Sequence, residues 1–223
     1  HCPARQTLLI TTEPESIKTY GQGYCRQFGH ILTSQPGWAL RHPSRHEGHS
    51  GNHWFYGDRA DQPMSRERLL AGPDPALKQD RVSVVHSPKR MRHTRHHQRY
   101  RFIEALRQQL PDLLVYGRNA TPLDDKSEAL DGVRYHLALE NHIGPNHITE
   151  KLTDAFLGRC LPFYAGAPNA ADRFPEQSFI PISMDDPIGT ANRIRAAVAD
   201  NLWAQRLSAI EEARRRVLEQ EHL

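Results

Sequence analysis

Two polar side chains that could bind a ligand directly follow one apolar run. Glu140 and Asn141 come straight after Leu137–Leu139, which is typical of the end of a buried strand. In open α/β sheets the ligand crevice lies beyond the carboxyl ends of the strands. We therefore expect both side chains to border a binding site.

A helix is predicted to begin a few residues later, with Thr149 as its N-cap. Amides of its first turn and the ammonium of Lys151 would hold a phosphate, and the carboxylate of Glu150 could accept hydrogen bonds from a sugar or ribose hydroxyl. This arrangement suits a nucleoside diphosphate. The same residues are also typical of a capped surface helix with solvated Glu and Lys, and the pattern alone leaves both interpretations open.

The elements that position these residues are short strands alternating with helices. Seven apolar runs have strand character: residues 8–10, 30–33, 81–85, 113–116, 135–139, 161–164 and 179–182. Helices are expected over residues 20–28, 100–110 and 149–157, and one or two more from residue 188 onward. Such alternation predicts a parallel sheet covered by helices. Residues 35–75, which Gly and Pro interrupt repeatedly, are predicted to be mostly loop.

Composition excludes several classes of protein. The 223 residues are 38% hydrophobic and 25% charged, as in ordinary globular proteins. A mean hydropathy of −0.70, with no apolar run near 18 residues, argues against a transmembrane segment. A net charge of +3 does not indicate a general nucleic-acid-binding protein, and three cysteines form neither a disulfide framework nor a zinc motif.

Two histidine clusters raise the question of a metal site: His42, His46, His49 and His53, and His93, His96 and His97. Zinc sites usually add carboxylate or thiolate ligands in tighter motifs, so a divalent metal is possible but none is predicted. Four aromatic residues in the loop-rich stretch could stack on a sugar, although core packing is the commoner role. They are Trp38, Trp54, Phe55 and Tyr56.

Further short motifs accompany Glu140 and Asn141 in a specific order. They are Ile148–Leu152, Asp154-Ala155, Pro162–Tyr164, Gly166, Pro168-Asn169 and Ser178–Ile180, preceded by Val84-Val85, Arg99, Phe102, Leu106 and Val115–Arg118. Over about residues 80–182, this set resembles the α1,3/α1,4-fucosyltransferases of glycosyltransferase family 10.

The resemblance implies an α/β fold of the GT-B type with two Rossmann-like domains. Residues 1–80 would be the C-terminal part of an acceptor-binding domain with long loops, so the N-terminal domain is expected to be truncated. Residues 81–190 would form the donor-binding domain, and residues 191–223 the C-terminal helices.

The resemblance also implies a donor site for GDP-fucose. Arg99 and Lys151 would neutralise the diphosphate, Glu150 would hold donor hydroxyls, and Asn141 would lie beside it. His147 stands where the family usually has Tyr, which implies a changed donor contact.

Arg101 competes with Arg99 for the diphosphate. The two side chains lie ~200° apart on a helix, so both cannot easily face one phosphate. Arg99 lies closer to the predicted core face and is preferred.

A second match, Leu9–Ser16, is similar to part of the family's acceptor domain. Glu13 falls on the Glu that is the general base there, and it would take a proton from the acceptor hydroxyl while GDP departs. Glu15 is the alternative base, and a solvated loop acid remains an alternative role for Glu13.

The resulting prediction is an inverting transfer of fucose from GDP-fucose to a hydroxyl of an oligosaccharide or glycoconjugate acceptor, of the α1,3 type, with no required cofactor. One alternative is a non-catalytic protein that binds a nucleotide sugar or glycan. Another is a nucleic-acid-binding module on the basic residues 89–101, although no nucleic-acid partner is expected. The predicted location is cytoplasmic or, in a bacterium, peripheral to the inner membrane.

Overall fold

Two parallel β-sheets organise the protein. The computed structural model describes residues 2–49, 51, 53–59, 61–86 and 95–221. Among these residues, no helix is both long and apolar enough to cross a membrane.

The first sheet has three strands in the order β1-β2-β3. They are β1 (Leu8–Ile10), β2 (His30–Thr33) and β3 (Arg45–Glu47), with helix α1 (Gln22–Cys25) between the first two. A small cluster of buried side chains supports it: Cys25, Ile31 and Leu40. The buried hydroxyl of Thr11 donates to Thr33 Oγ1 at 2.6 Å, which ties the end of β1 to that of β2.

The second sheet has five parallel strands in the order β5-β4-β6-β7-β8. Its strands are β4 (Gln79–Val85), β5 (Leu114–Tyr116), β6 (Val133–Leu139), β7 (Leu161–Ala165) and β8 (Ile180–Pro181). The helices of the remaining chain are α2 (Arg66–Ala71), α3 (His96–Gln109), α4 (Ser127–Leu130), α5 (Glu150–Leu157), α6 (Pro187–Ala199), α7 (Leu202–Gln205) and α8 (Leu207–Glu219). The strand order reverses between β4 and β6, which is where doubly wound sheets bind ligands.

Both faces of this sheet are covered by helices. Alternate residues of the central strands point to opposite faces, so Leu137 and Phe163 pack in the core that includes α3 and α6. Ala138 and Tyr164 pack in the core that includes α5 and α8. Burial on two sides explains why these strands are continuous apolar runs.

Several predicted elements are confirmed. Strands β1 and β2 have the predicted bounds, and the Thr149 side chain caps α5 by accepting from Lys151 N–H at 3.4 Å. Helix α3 begins at His96, four residues before the predicted start, because its first turn is polar and carries no apolar periodicity.

The prediction for residues 35–75 was incomplete. This stretch contains β3 and α2, which Ser65 caps through the amide of Arg68. Strand β3 is entirely polar, and α2 is too short to show a periodic apolar pattern. Tyr56 is buried as expected, whereas Trp38 is 72% exposed and Phe55 is 42% exposed.

Candidate functional site

A crevice opens at the carboxyl end of the second sheet, at the switch point between β4 and β6. Two cavities meet there, one of about 200 Å³ and one of about 470 Å³. Four residues line both of them: His96, Asn141, Glu150 and Lys151. The strand ends and the N-terminus of α5 thus bring together the residues that the sequence singled out.

Glu140 fixes the N-terminus of α5. Its carboxylate is fully buried and accepts the Thr149 amide at 3.0 Å and the Thr149 hydroxyl at 2.7 Å. Burial raises the pKa of Glu140 even though Lys151 and the Thr149 hydrogen bonds oppose the rise. Its two oxygens therefore hold the helix cap in place.

Glu150 and Lys151 form an ion pair at the N-terminus of α5. Lys151 Nζ lies 2.9 Å from Glu150 Oε1 and 3.6 Å from Glu140 Oε2. Burial alone would raise the pKa of Glu150, but Lys151 and Lys126 outweigh it and lower that pKa to about 2. Burial alone would lower the pKa of Lys151, but Glu140 and Glu150 outweigh it and raise that pKa. Both side chains are charged at neutral pH.

Arg99 lies on the first turns of α3 with its side chain in the smaller cavity. It is 4% exposed, and its Nη1 donates to the Leu139 carbonyl at 3.4 Å. Its Nε is buried without a hydrogen-bond partner among the described residues. Burial lowers the pKa of Arg99, although Glu140 and Glu150 oppose this. An incompletely paired buried guanidinium facing a cavity is suited to an anionic ligand.

The geometry separates Arg99 from Arg101. Arg101 is exposed and lines a different cavity, of about 720 Å³, together with Arg95 and His97. Because only Arg99 faces the crevice with Lys151, the preference for Arg99 fits the structure.

Asn141 borders both cavities there, and its Oδ1 is a buried atom without a hydrogen-bond partner among the described residues.

Lys126 is a residue of the crevice that the sequence did not suggest. Its Nζ lies 2.7 Å from Asp154 Oδ2 and 3.7 Å from Glu150 Oε1. It precedes the short helix α4, which was also not predicted. The one available signal was a single basic residue directly after two acidic ones, Asp124 and Asp125.

His147 lines the larger cavity and is buried. Burial, followed by the neighbouring His142 and Lys151, lowers the pKa of His147 to about 4, so its ring is neutral at pH 7. His142 packs edge-on against it with ring centroids 5.2 Å apart. A neutral imidazole at this place can donate one hydrogen bond and accept another.

The loop after β1 forms the opposite wall of the larger cavity. Glu13 lines this cavity with an exposed side chain, and its carbonyl accepts from Gln35 Nε2 at 2.8 Å. Glu15 instead lies 3.6 Å from His142 Nε2. Glu13 is thus placed where a bound molecule would meet it, whereas Glu15 is engaged with the loop after β6.

Three of the four histidines of the first cluster have separate hydrogen-bond partners. His42 contacts the Phe28 carbonyl at 3.1 Å, His46 the Ser44 hydroxyl at 3.1 Å, and His49 the Ile148 carbonyl at 3.2 Å. Within the described part of the chain, no three His, Cys, Asp or Glu side chains are grouped as metal ligands. His93 of the second cluster and Lys89, Arg90 and Arg92 of the basic run lie outside the described residues.

Sequence comparison identifies relatives of the region that builds the crevice. Residues 76–189 match glycosyltransferase family 10 (fucosyltransferase), C-terminal part. A 56-residue stretch is 36% identical to the alpha-(1,3)-fucosyltransferase FucT of Helicobacter pylori. That stretch covers 25% of this chain and only 12% of the H. pylori protein.

Structural comparison gives a likeness over nearly the whole chain. Crystal structures of α1,3-fucosyltransferase with GDP and with GDP-fucose superpose with TM-scores of 0.59 and 0.58, at 18% and 17% identity. The likeness covers 96% and 97% of this chain, and 74% and 75% of those structures. It confirms the predicted α/β fold of the GT-B type. The division into residues 1–80, 81–190 and 191–223 stays a prediction, as do the roles of the site residues.

Proposed function

This chain belongs to glycosyltransferase family 10, the fucosyltransferases, and we propose on that basis that it transfers fucose from GDP-fucose to a hydroxyl of a glycan acceptor. The observation that carries the proposal is the buried Arg99, whose Nε has no hydrogen-bond partner among the described residues, in the crevice that also holds Lys151. A diphosphate would complete the hydrogen bonds of the guanidinium.

The donor would lie at the switch point of the second sheet. Arg99 and Lys151 would bind the diphosphate and stabilise the charge that develops on GDP as it leaves. Glu150, a carboxylate at neutral pH, would accept hydrogen bonds from donor hydroxyls, and Asn141 would bind beside it. His147 would contact the donor through its neutral ring. Positively charged side chains supply the leaving-group stabilisation in this scheme, so it requires no metal.

The acceptor would enter from the side of Glu13. Its carboxylate would remove the proton from the attacking hydroxyl, and that oxygen would form a bond to the anomeric carbon as the bond to GDP breaks. Attack from the face opposite the leaving group inverts the anomeric configuration. The relatives of this chain are α1,3-fucosyltransferases, so we propose an α1,3 linkage.

Calorimetric titration of GDP and GDP-fucose into the purified protein tests the donor site. We expect Arg99→Ala and Lys151→Ala each to weaken GDP binding by about 10- to 100-fold, because each removes a charge-assisted contact. Arg101→Ala is the matched control, since Arg101 lies on the same helix but faces another cavity. Equal losses in Arg99→Ala and Arg101→Ala would reject the assignment of Arg99.

Glu13→Gln tests the catalytic step, with Glu15→Gln as its control. We expect Glu13→Gln to keep GDP affinity and to lower fucose transfer to a panel of glycan acceptors by about 10²- to 10⁴-fold, the usual contribution of a general base. Glu15→Gln should transfer at nearly the wild-type rate. GDP binding by the wild-type protein without any transfer or donor hydrolysis would favour the non-catalytic alternative.

A further inference from the structure

Lys126 connects two acidic side chains of α5 at the edge of the smaller cavity. Its ammonium contacts Asp154 Oδ2 at 2.7 Å and lies 3.7 Å from Glu150 Oε1. The same cavity is lined by Arg99 and Lys151. Lys126 is 20% exposed in its side chain, so it is held within the wall rather than extended into solvent.

Asp154 anchors Lys126 and is itself fully engaged. Its residue is 2% exposed, and its Oδ1 accepts the amides of Phe55 and Tyr56 at 2.9 and 3.2 Å. The other oxygen receives Lys126. The ammonium also lies 5.0 Å from the centre of the Phe55 ring. These contacts leave Lys126 little freedom, as expected of a group that orients another.

The carboxylate of Glu150 receives two cations on one oxygen. Lys151 lies 2.9 Å and Lys126 lies 3.7 Å from Oε1. We propose that Lys126 is a positioning residue of the donor site, which holds Glu150 against Lys151 in the orientation that receives donor hydroxyls. This inference rests on the proposed function, because it concerns the same donor.

The charge balance of the crevice supports this role. Three carboxylates meet at the start of α5, those of Glu140, Glu150 and Asp154, and Lys151 contacts only the first two of them. Without Lys126, the Oε1 atom of Glu150 would keep only its contact with Lys151, whatever the charge of Asp154. Glu150 would then lose the second contact that fixes the direction of its carboxylate.

Titration of GDP into Lys126→Met tests the proposal. We expect about 10-fold weaker binding than in the wild-type protein, with Lys126→Arg within about 3-fold because it keeps the charge. Lys18→Met is a matched control, since Lys18 is an exposed lysine outside the cavities that hold Glu150. Circular dichroism establishes that each variant is folded.

A double variant separates positioning from a purely structural role. Asp154→Asn keeps the oxygen that accepts the Phe55 and Tyr56 amides and removes the charge that Lys126 neutralises. If Lys126 served only to neutralise Asp154, then Lys126→Met with Asp154→Asn would bind GDP as tightly as the wild-type protein. We expect the pair to regain thermal stability and to keep weakened GDP binding.

The pH dependence of GDP binding gives a second readout. Burial raises the pKa of Glu150, and Lys151 and Lys126 together lower it to about 2. Loss of Lys126 should therefore move the acid decline of GDP affinity to higher pH. The other groups that face Glu150 stay in place in this variant: Arg99 on α3, Glu140 and His147 in the loop after β6, and Lys151 and Asp154 on α5.

The outcomes are distinguishable. Wild-type affinity and an unchanged pH profile in Lys126→Met would overturn the role of Lys126 while leaving the proposed function intact. Restored affinity in the double variant would overturn it as well. A wild-type protein that binds neither GDP nor GDP-fucose would overturn the proposed function, and this inference with it.

Discussion

The two walls of the crevice differ in how their charged groups are held. On the wall formed by α3, α5 and the end of β6, Glu140 and Glu150 both lie within ion-pair distance of Lys151. On the opposite wall, Glu13 extends into the cavity from a loop whose backbone is held by Gln35. A preorganised wall suits a ligand of fixed chemistry, whereas an open wall suits varied ones. The charged groups of the first wall are therefore fixed before any ligand binds, and the side chain of Glu13 on the second wall is not.

The strongest test of the preorganised wall is Glu140→Ala. The substitution leaves the part-buried Thr149 amide without its acceptor and Lys151 with one fewer carboxylate. We expect a loss of about 3–5 kcal/mol in the free energy of unfolding, measured by urea denaturation. Glu176→Ala, at an exposed position, is the control and should change stability by less than about 0.5 kcal/mol. Equal, small changes in both variants would contradict a preorganised wall.

The second test uses acid. The pKa of His147 is lowered from 6.5 to about 4, first by burial, so below pH 6.5 the unfolded chain takes up a proton that the folded protein does not. Stability from this group is therefore full above pH 6.5 and is lost as pH falls towards 4, by roughly 3 kcal/mol in total. His147→Gln should remove this part of the pH dependence in urea denaturation. The control is His46→Gln, at an exposed position. If the stability of His147→Gln fell with pH as steeply as that of the control, a buried, neutral His147 ring would be excluded.

The third test concerns the open wall. Gln35 is fully buried, and its Nε2 donates to the carbonyls of Glu13 and Lys18 at 2.8 and 2.9 Å. Gln35→Ala should cost about 1–2 kcal/mol of stability, because it leaves these carbonyls without their donor. We expect a lower kcat for transfer with unchanged GDP affinity by calorimetry. Reduced GDP affinity would show that the two walls are not independent.

The smallest effect is expected for Glu15→Gln. Glu15 lies 3.6 Å from His142 across the crevice, and both side chains are partly exposed. Loss of a partly screened pair should cost about 0.5 kcal/mol. A loss of several kcal/mol in thermal denaturation would mean that this pair, rather than the buried wall, holds the crevice together.

The preorganised wall was also the more predictable from sequence. Strands buried on both faces, such as β6, are continuous apolar runs, and Thr149 carries a recognisable N-cap pattern. With Thr149 as the cap, Glu150 and Lys151 are predicted to be the first residues of the helix. Arg99 could be chosen over Arg101 because helical geometry separates their directions.

What the sequence did not reveal depends on contacts between distant residues. Lys126 gains its significance only from Asp154, which a single sequence does not place beside it. Gln35 is an ordinary polar residue until its contact with the Glu13 carbonyl is seen. Strand β3 and helices α2 and α4 have only three to six residues each, so they are too short to show the periodicity that predicts an element.

The last helix, α8, has a consequence for biosynthesis. Arg214 on this helix donates to the carbonyl of Leu157 at the end of α5 and to that of Leu69 in α2. A ribosome therefore synthesises every residue of the preorganised wall well before α8, which contacts the far end of α5. At 5–20 residues per second, the interval between Ala165 and Arg214 lasts roughly 2–10 s. Until α8 is present, the buried side chains of α5 lack the partners that Ala213 and Val217 supply in the same core.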